Sequence, residues 1–313
     1  LPVILVVDVA HMAQSVAALV AGFCGADPGG RVAGLILNKV GSPRHERMLR
    51  RALAPLGLPV LGAMYRQSGL AHPSRHLGLV QAREHPDLGA YLNAVADAVE
   101  AAVDLDALVG LAAELPGAGP FQRQTPPGQR IAIAGDAAFA FAYPHILDDW
   151  RAGGAEISVF SPLADETPKA DADFIFLPGG YPELYAAQLA NARRFSTALR
   201  TATCPIYGEC GGFMVLGDGL TDKDGHRHAM LGLLRLETSF AKRKLHLGYR
   251  HLQALGGPFT GAWAAHEFHY ATTLKADGAP LFKARDAEGQ DLGAMGLVNG
   301  PVSGSFAHLL DPA

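Results

Sequence analysis

Pro205-Ile206-Tyr207-Gly208-Glu209-Cys210-Gly211-Gly212-Phe213-Met214-Val215-Leu216 decides the reading of this chain. An apolar strand runs into a small-X-Cys-Gly-Gly turn, and an apolar helix follows. Glycines around a thiol permit a sharp, strained strand-to-helix turn, the logic of a nucleophile elbow. The thiol then sits at a helix N-terminus, where the helix dipole favours thiolate. The backbone N–H of Gly211 is placed to donate to an oxyanion. Cys210 is therefore the candidate nucleophile, while Cys204 and Cys24 read as structural cysteines.

Two further segments complete that chemistry. Leu177-Pro178-Gly179-Gly180-Tyr181-Pro182-Glu183 ends a strand in two glycines and opens a helix at proline. The bare N–H groups of Gly179 and Gly180 could supply a second oxyanion donor. Ser303-Gly304-Ser305-Phe306-Ala307-His308 carries a histidine, the usual base for a thiol nucleophile. Spacing alone does not bring His308 to Cys210, since the chain holds 13 histidines.

Around these motifs the pattern is α/β. Strands are expected at 3–7, 32–37 and 59–63, with helices at 12–23 and 43–56 between them. That is the β-α-β-α-β order of a parallel sheet with crossover helices. The run at 3–7 reads as a strand buried on both faces. A long closing helix is expected over 88–113. Pro- and Gly-rich sequence at 115–128 reads as a linker. Domains are thus expected at 1–114 and 129–313, each a mostly parallel sheet flanked by helices. In the second, strands are expected at 130–134, 156–160, 174–177 and 205–208, with a helix over 182–200. Beyond Met230 the strands should be shorter and partly antiparallel.

Composition narrows the function class. The chain is 313 residues long, 49% hydrophobic and 18% charged, with a formal net charge of -4. No long basic run suggests a nucleic-acid partner, and no apolar run has the length of a membrane span. Three cysteines give no disulfide framework and fit a reducing cytoplasm. His266-Glu267-Phe268-His269 spaces its histidines three apart rather than the four of a zincin, so no metal is expected there.

Taken together, Pro178 to Glu183, Gly208 to Phe213 and Gly304 to His308 resemble the oxyanion loop, elbow and base of the class I glutamine amidotransferase domain. The likeness is to its cobyrinic acid synthase branch, with a flavodoxin-like fold. It implies that Cys210 attacks the glutamine carboxamide and that His308 is the base. Many relatives carry an acidic residue two places after the histidine; here that place is Leu310, so the resemblance implies a Cys–His pair. Lys242-Arg243-Lys244-Leu245-His246-Leu247-Gly248-Tyr249-Arg250 and His266 to Tyr270 resemble segments of the cobyrinic or hydrogenobyrinic acid a,c-diamide synthases. Lys242, Arg243, Tyr249, Arg250, His266 and Glu267 are candidate contacts to a polycarboxylate substrate.

The first half resembles the back part of the same family's dethiobiotin-synthetase-like ATP-binding domain. The matching stretches are Val6 to Asp8, Met12 to Ser15, Leu37 to Ser42 and Pro73 to Leu79. Asn38, past a strand's carboxyl end, would face the nucleotide. No G-x-x-x-x-G-K-[ST] occurs, although the family opens with one. ATP and Mg2+ are accordingly expected in a longer, full-length protein, with glutaminase activity alone in this chain. The resemblance implies glutamine and cobyrinic or hydrogenobyrinic acid as partners. It implies neither nucleic acid nor membrane, and it admits a homodimer. Two other readings stay open: a cobyric acid synthase or other amidotransferase ligase, and a non-catalytic binding protein on a decayed amidotransferase fold.

Overall fold

The computed structural model describes residues 1–26, 30–71, 74–75, 78–79, 82–115, 117, 119 and 123–313. Part of the expected motif at 73–79 and part of the 115–128 linker lie outside these. The chain divides into two compact units, Leu1–Phe121 and Gln122–Ala313.

In the first unit, β1 (Pro2–Asp8), β2 (Arg31–Val40) and β3 (Val60–Tyr65) form a parallel sheet in the order β1-β2-β3. Helix α1 (Ser15–Ala26) follows β1, and α2 (Pro43–Leu53) follows β2. Ser42 caps α2 by accepting from the His45 amide at 3.2 Å, and Pro43 occupies the first turn. The core is Val7, Val16, Val20, Leu35, Leu37, Leu49 and Leu53. The continuous apolar run of β1 reads as doubly buried; among the described residues β1 pairs with β2 alone. Val3 and Val6 are 43% and 58% exposed. The single closing helix expected over 88–113 is two helices, α3 (Leu88–Ala102) and α4 (Leu105–Gly110). Val103 is extended, and Asp104 restarts the helix by accepting from the Ala107 amide at 2.9 Å.

In the second unit, β4 (Arg130–Ala134), α5 (Pro144–Ala152), β5 (Glu156–Phe160) and β6 (Phe174–Leu177) lead to α6 (Ala186–Asn191) and α7 (Arg193–Thr201). The helix expected over 182–200 is thus broken, with Ala192 non-helical between its halves. Strand β7 (Ile206–Glu209) then turns directly into α8 (Gly211–Leu216). Later come β8 (His246–Ala254), β9 (Ala262–His269), β10 (Phe282–Asp286) and β11 (Asp291–Met295). The chain closes with β12 (Leu297–Asn299), β13 (Val302–Ser305) and β14 (Ala307–Pro312).

The central sheet has the order β12-β13-β7-β6-β4-β5 and is parallel except for β12. Both its faces are covered, as a parallel sheet requires. Ala132, Ala134, Ile175, Leu177 and Ile206 pack with Leu189, Phe195 and Phe213 on the α6–α8 side. Ile131, Ile133, Phe174, Phe176 and Tyr207 pack with Trp150, Leu252, Trp263 and Phe282 on the other. That second cover combines α5 with an antiparallel sheet of order β11-β10-β8-β9-β14. The alternating sequence beyond Met230 builds this second layer.

Close backbone approach at the elbow demands glycine at one position above all. A Cβ on Gly212 would strike the Leu177 carbonyl, with Leu177 Cβ at 2.8 Å. Gly212→Ala should therefore destabilise the unit by about 2–4 kcal/mol. A thermal melt should show a midpoint lower by roughly 5–10 °C; an unchanged midpoint would contradict this packing.

Candidate active site

β7 is buried along its whole length and ends in a charged residue, Glu209, followed by Cys210. Cys210 has φ 46° and ψ -102°, a left-handed conformation that costs energy for a residue with a Cβ. The conformation is held by its own amide, which donates to the Ser305 carbonyl at 2.8 Å. The Gly212 amide donates to the Pro178 carbonyl at 3.1 Å, tying the elbow to the Gly-Gly loop. That loop is pinned from the other side by the Phe141 amide, which donates to the Gly179 carbonyl at 2.9 Å.

The parallel pairing of β13 with β7 aligns Ser305 with Glu209, so the chain re-enters beside the elbow just before His308. The Cβ position of Gly179 lies 3.4 Å from Cys210 Cβ and 3.3 Å from His308 Nε2. The imidazole edge bearing Nε2 and the thiol-bearing residue therefore flank one glycine. Gly180 and Gly211 adjoin: the Cβ position of Gly211 is 3.1 Å from the Gly180 nitrogen. The structure thus brings together Cys210, His308, Gly179, Gly180 and Gly211.

His308 is enclosed. His266, its register partner on β9, stacks face to face with it at 4.8 Å and 1°. Tyr143 bonds to His266 Nε2 at 2.5 Å and stands edge-on to His308 at 5.8 Å. On the Nδ1 side, Glu209 Oε2 lies 3.7 Å away. Sequence reasoning gave His266 a substrate or interface role, and the structure makes it the wall of the imidazole. It gave Glu209 and Tyr143 no role. Glu209 had a signal, since a carboxylate closing an otherwise buried strand is rare without a partner.

The electrostatics describe a closed site. Cys210 is 2% exposed. Its thiol is pushed up well past the ordinary range, first by burial and then by the nearby Glu183 carboxylate. The Gly211 amide pulls the other way and is outweighed. The dipole-lowered thiol expected from the elbow is thus not the resting state here; desolvation wins over a six-residue helix. Burial also lowers His308 to about 3 and raises Glu209 to about 8, so this pocket resists net charge.

Arg250 and Glu267 are paired with each other. Arg250 Nη2 lies 2.8 Å from Glu267 Oε2, with both side chains about nine-tenths buried. A second arginine nitrogen donates to the Tyr249 carbonyl at 2.9 Å. Burial raises the Glu267 carboxyl, but bonds from His269 and Arg250 outweigh it and hold it below the usual range. Their residue types suggest substrate contacts, and in the structure they pair with each other. Lys242, Arg243, Lys244 and Tyr249 are exposed.

His246, Glu267 and His269 lie close enough to suggest a metal. The His246 and His269 rings, however, stack 4.6 Å apart at 6°. Lone pairs lie in the ring planes, so two parallel planes do not converge on one ion, and Glu267 is already engaged.

In the first unit, Asp8, His11, Asn38, Lys39, Tyr65 and Arg66 border a cavity of about 500 Å³ at the carboxyl ends of the strands. Lys39, at φ 61°, donates from its side chain to Asp8 at 2.6 Å. The Asn38 side-chain oxygen accepts from the Lys39 amide at 2.9 Å.

Residues 130–311 match the CobB/CobQ-like glutamine amidotransferase domain. The chain is 56% identical to the hydrogenobyrinate a,c-diamide synthase of Brucella abortus, over 99% of this chain and 73% of that protein. The chain belongs to the hydrogenobyrinate a,c-diamide synthase family. The synthase of that name from a Sinorhizobium species is 56% identical over 100% of this chain and 74% of its own. That from Rhizobium meliloti is 52% identical over 99% and 74%. The family match spans both units, not the amidotransferase domain alone. Among the described residues, no helix is long and apolar enough to cross a membrane.

The geometry makes Gly179 a spacer that a methyl group cannot replace, because an added Cβ would strike His308 Cε1. Gly179→Ala should lower glutaminase kcat by about 10²-fold by displacing the imidazole. Steady-state kinetics beside a thermal melt will check this. A full-rate variant would contradict the placement of His308.

Proposed function

We infer that this chain hydrolyses glutamine at Cys210 and so supplies ammonia for amidation of the a and c carboxylates of hydrogenobyrinic or cobyrinic acid. One observation carries the site assignment: Cys210, on a strained turn, and the Nε2 edge of His308 flank Gly179. The first step moves the Cys210 thiol proton to His308 Nε2 while sulfur attacks the glutamine carboxamide carbon. The resulting oxyanion is stabilised by backbone N–H groups of the Gly179–Gly180 loop and Gly211. The imidazolium returns its proton to the amide nitrogen, ammonia leaves, and a γ-glutamyl thioester remains. Water then attacks the thioester, giving its proton to His308, and releases glutamate and the free thiol.

A thiol sealed at 2% exposure meets glutamine only when the structure around it opens. In the sealed state the protonated thiol is inert, which limits wasteful hydrolysis. Ammonia then attacks a substrate carboxylate activated by ATP with Mg2+, and the cavity beside Asp8 and Asn38 is of a size for a nucleotide base. Exposed Lys242, Arg243 and Lys244 suit a substrate bearing many carboxylates. The names of the relatives favour the a,c-diamide reaction over cobyric acid synthesis. The intact elbow and base oppose a decayed, non-catalytic fold.

Cys210→Ser should reduce glutamate release from glutamine by at least about 10³-fold, because serine is a far weaker nucleophile without a strong base. Coupled glutamate detection on this chain makes the measurement. Equal rates for the two proteins would sink the assignment.

A further inference from the structure

We propose that Glu209 is the positioning residue for His308: its Oε2 accepts the Nδ1–H of the imidazole and thereby turns the Nε2 lone pair toward Cys210. The proposal rests on the Cys210–His308 reading above and adds a third, sequence-adjacent member to it.

The two oxygens of Glu209 have separate duties. Oε1 accepts from the Leu309 amide at 3.1 Å and from the Tyr207 hydroxyl at 3.4 Å. These bonds anchor the carboxyl to its own strand and to the residue after His308. Oε2 is left over and lies 3.7 Å from His308 Nδ1. Among the described residues, neither Glu209 Oε2 nor His308 Nδ1 has a hydrogen-bond partner, and both atoms are buried. Glu209 and His308 are each 2% exposed. Two complementary orphan atoms facing each other in a dry pocket form a bond waiting to close by less than an ångström of movement.

No other group among the described residues stands in that place. Leu310 occupies the position where an acidic residue after the histidine would lie, and Asp311 is exposed. His266 covers the flat face of the imidazole, not its edge. The register accounts for the arrangement: Glu209 ends β7 opposite Ser305 on β13, so its carboxylate reaches the backbone of β14.

The proton bookkeeping gives Glu209 a signature. His308 can accept the thiol proton at Nε2 only as the Nδ1–H tautomer, which an ionised carboxylate at Glu209 favours and whose imidazolium it stabilises. Gain of one proton by the pair places it on the carboxyl, which then donates to Nδ1 and leaves the ring proton on Nε2, where uptake is blocked. Burial holds the Glu209 carboxyl at about 8, so the blocked form dominates below that pH and the competent form above it. The other titratable groups facing this pair are Tyr207 from β7, Cys210 from the elbow, and His266, Glu267 and His269 from β9. Tyr143 faces it from the segment before α5, and Glu183 faces Cys210.

The test compares wild type, Glu209→Gln and Glu209→Asp in a glutaminase assay over about pH 6 to about pH 9. Glutamine at 209 keeps the shape and an acceptor for Nδ1–H but neither charges nor titrates. We expect kcat to fall about 10²-fold with KM within about twofold. Wild-type kcat/KM should rise roughly tenfold per pH unit toward the Glu209 midpoint, and the Gln variant should lose that limb. The Asp variant should keep the limb at a reduced rate. A Gln variant with kcat within about threefold of wild type, or with the same limb, would overturn the proposal. Loss of near-UV circular dichroism in both variants would also overturn it, making Glu209 a folding element only. Undiminished glutamate release by Cys210→Ala would instead remove the nucleophile reading, so the two failures are separable.

Discussion

The site depends on one backbone hydrogen bond, from the Cys210 amide to the Ser305 carbonyl at 2.8 Å. It extends the parallel pairing of β13 with β7 by one residue beyond the strand. That single extension does two things. It holds Cys210 in a left-handed backbone conformation that a residue with a Cβ avoids. It also fixes the exit of β13, so that Phe306 and Ala307 deliver His308 to the far side of Gly179. Nucleophile and base come from strands far apart in sequence, and the sheet joins them.

The same geometry explains why the site is poised rather than open. Parallel strands are covered on both faces, so an elbow at their carboxyl ends begins in a dry environment. Burial outweighs the helix dipole at the thiol, and three carboxylates, Glu183, Glu209 and Glu267, reinforce it. The Arg250–Glu267 pair and the stacked His246 and His269 rings join β8 to β9, the strand whose Phe268 carbonyl lies 3.9 Å from Cys210 Sγ. The interactions that keep the thiol protonated at rest are local.

Much of this was legible in the sequence. Apolar runs punctuated by glycine marked the parallel strands, and the small-X-Cys-Gly-Gly turn at Gly208 to Gly212 marked the elbow. Where the sequence misled, tertiary pairing decided. The Ala- and Leu-rich stretch from Leu88 onward breaks at Val103 because Asp104 caps a new helix. Arg250 and His266 have residue types suited to an anionic ligand, yet each faces a protein group. Glu209 shows in the sequence only as a carboxylate closing a buried strand; which groups it meets follows from strand register, which no local spacing encodes.

The central claim is that sulfur at Cys210 carries the glutamyl group during turnover. Acid-quench mass spectrometry during glutamine hydrolysis, followed by peptide mapping, measures this directly. The account predicts one glutamyl adduct on the peptide containing Cys210 and none on those containing Cys24 or Cys204. Turnover with the adduct on another residue, or hydrolysis with Cys210 unmodified at every quench time, would contradict it.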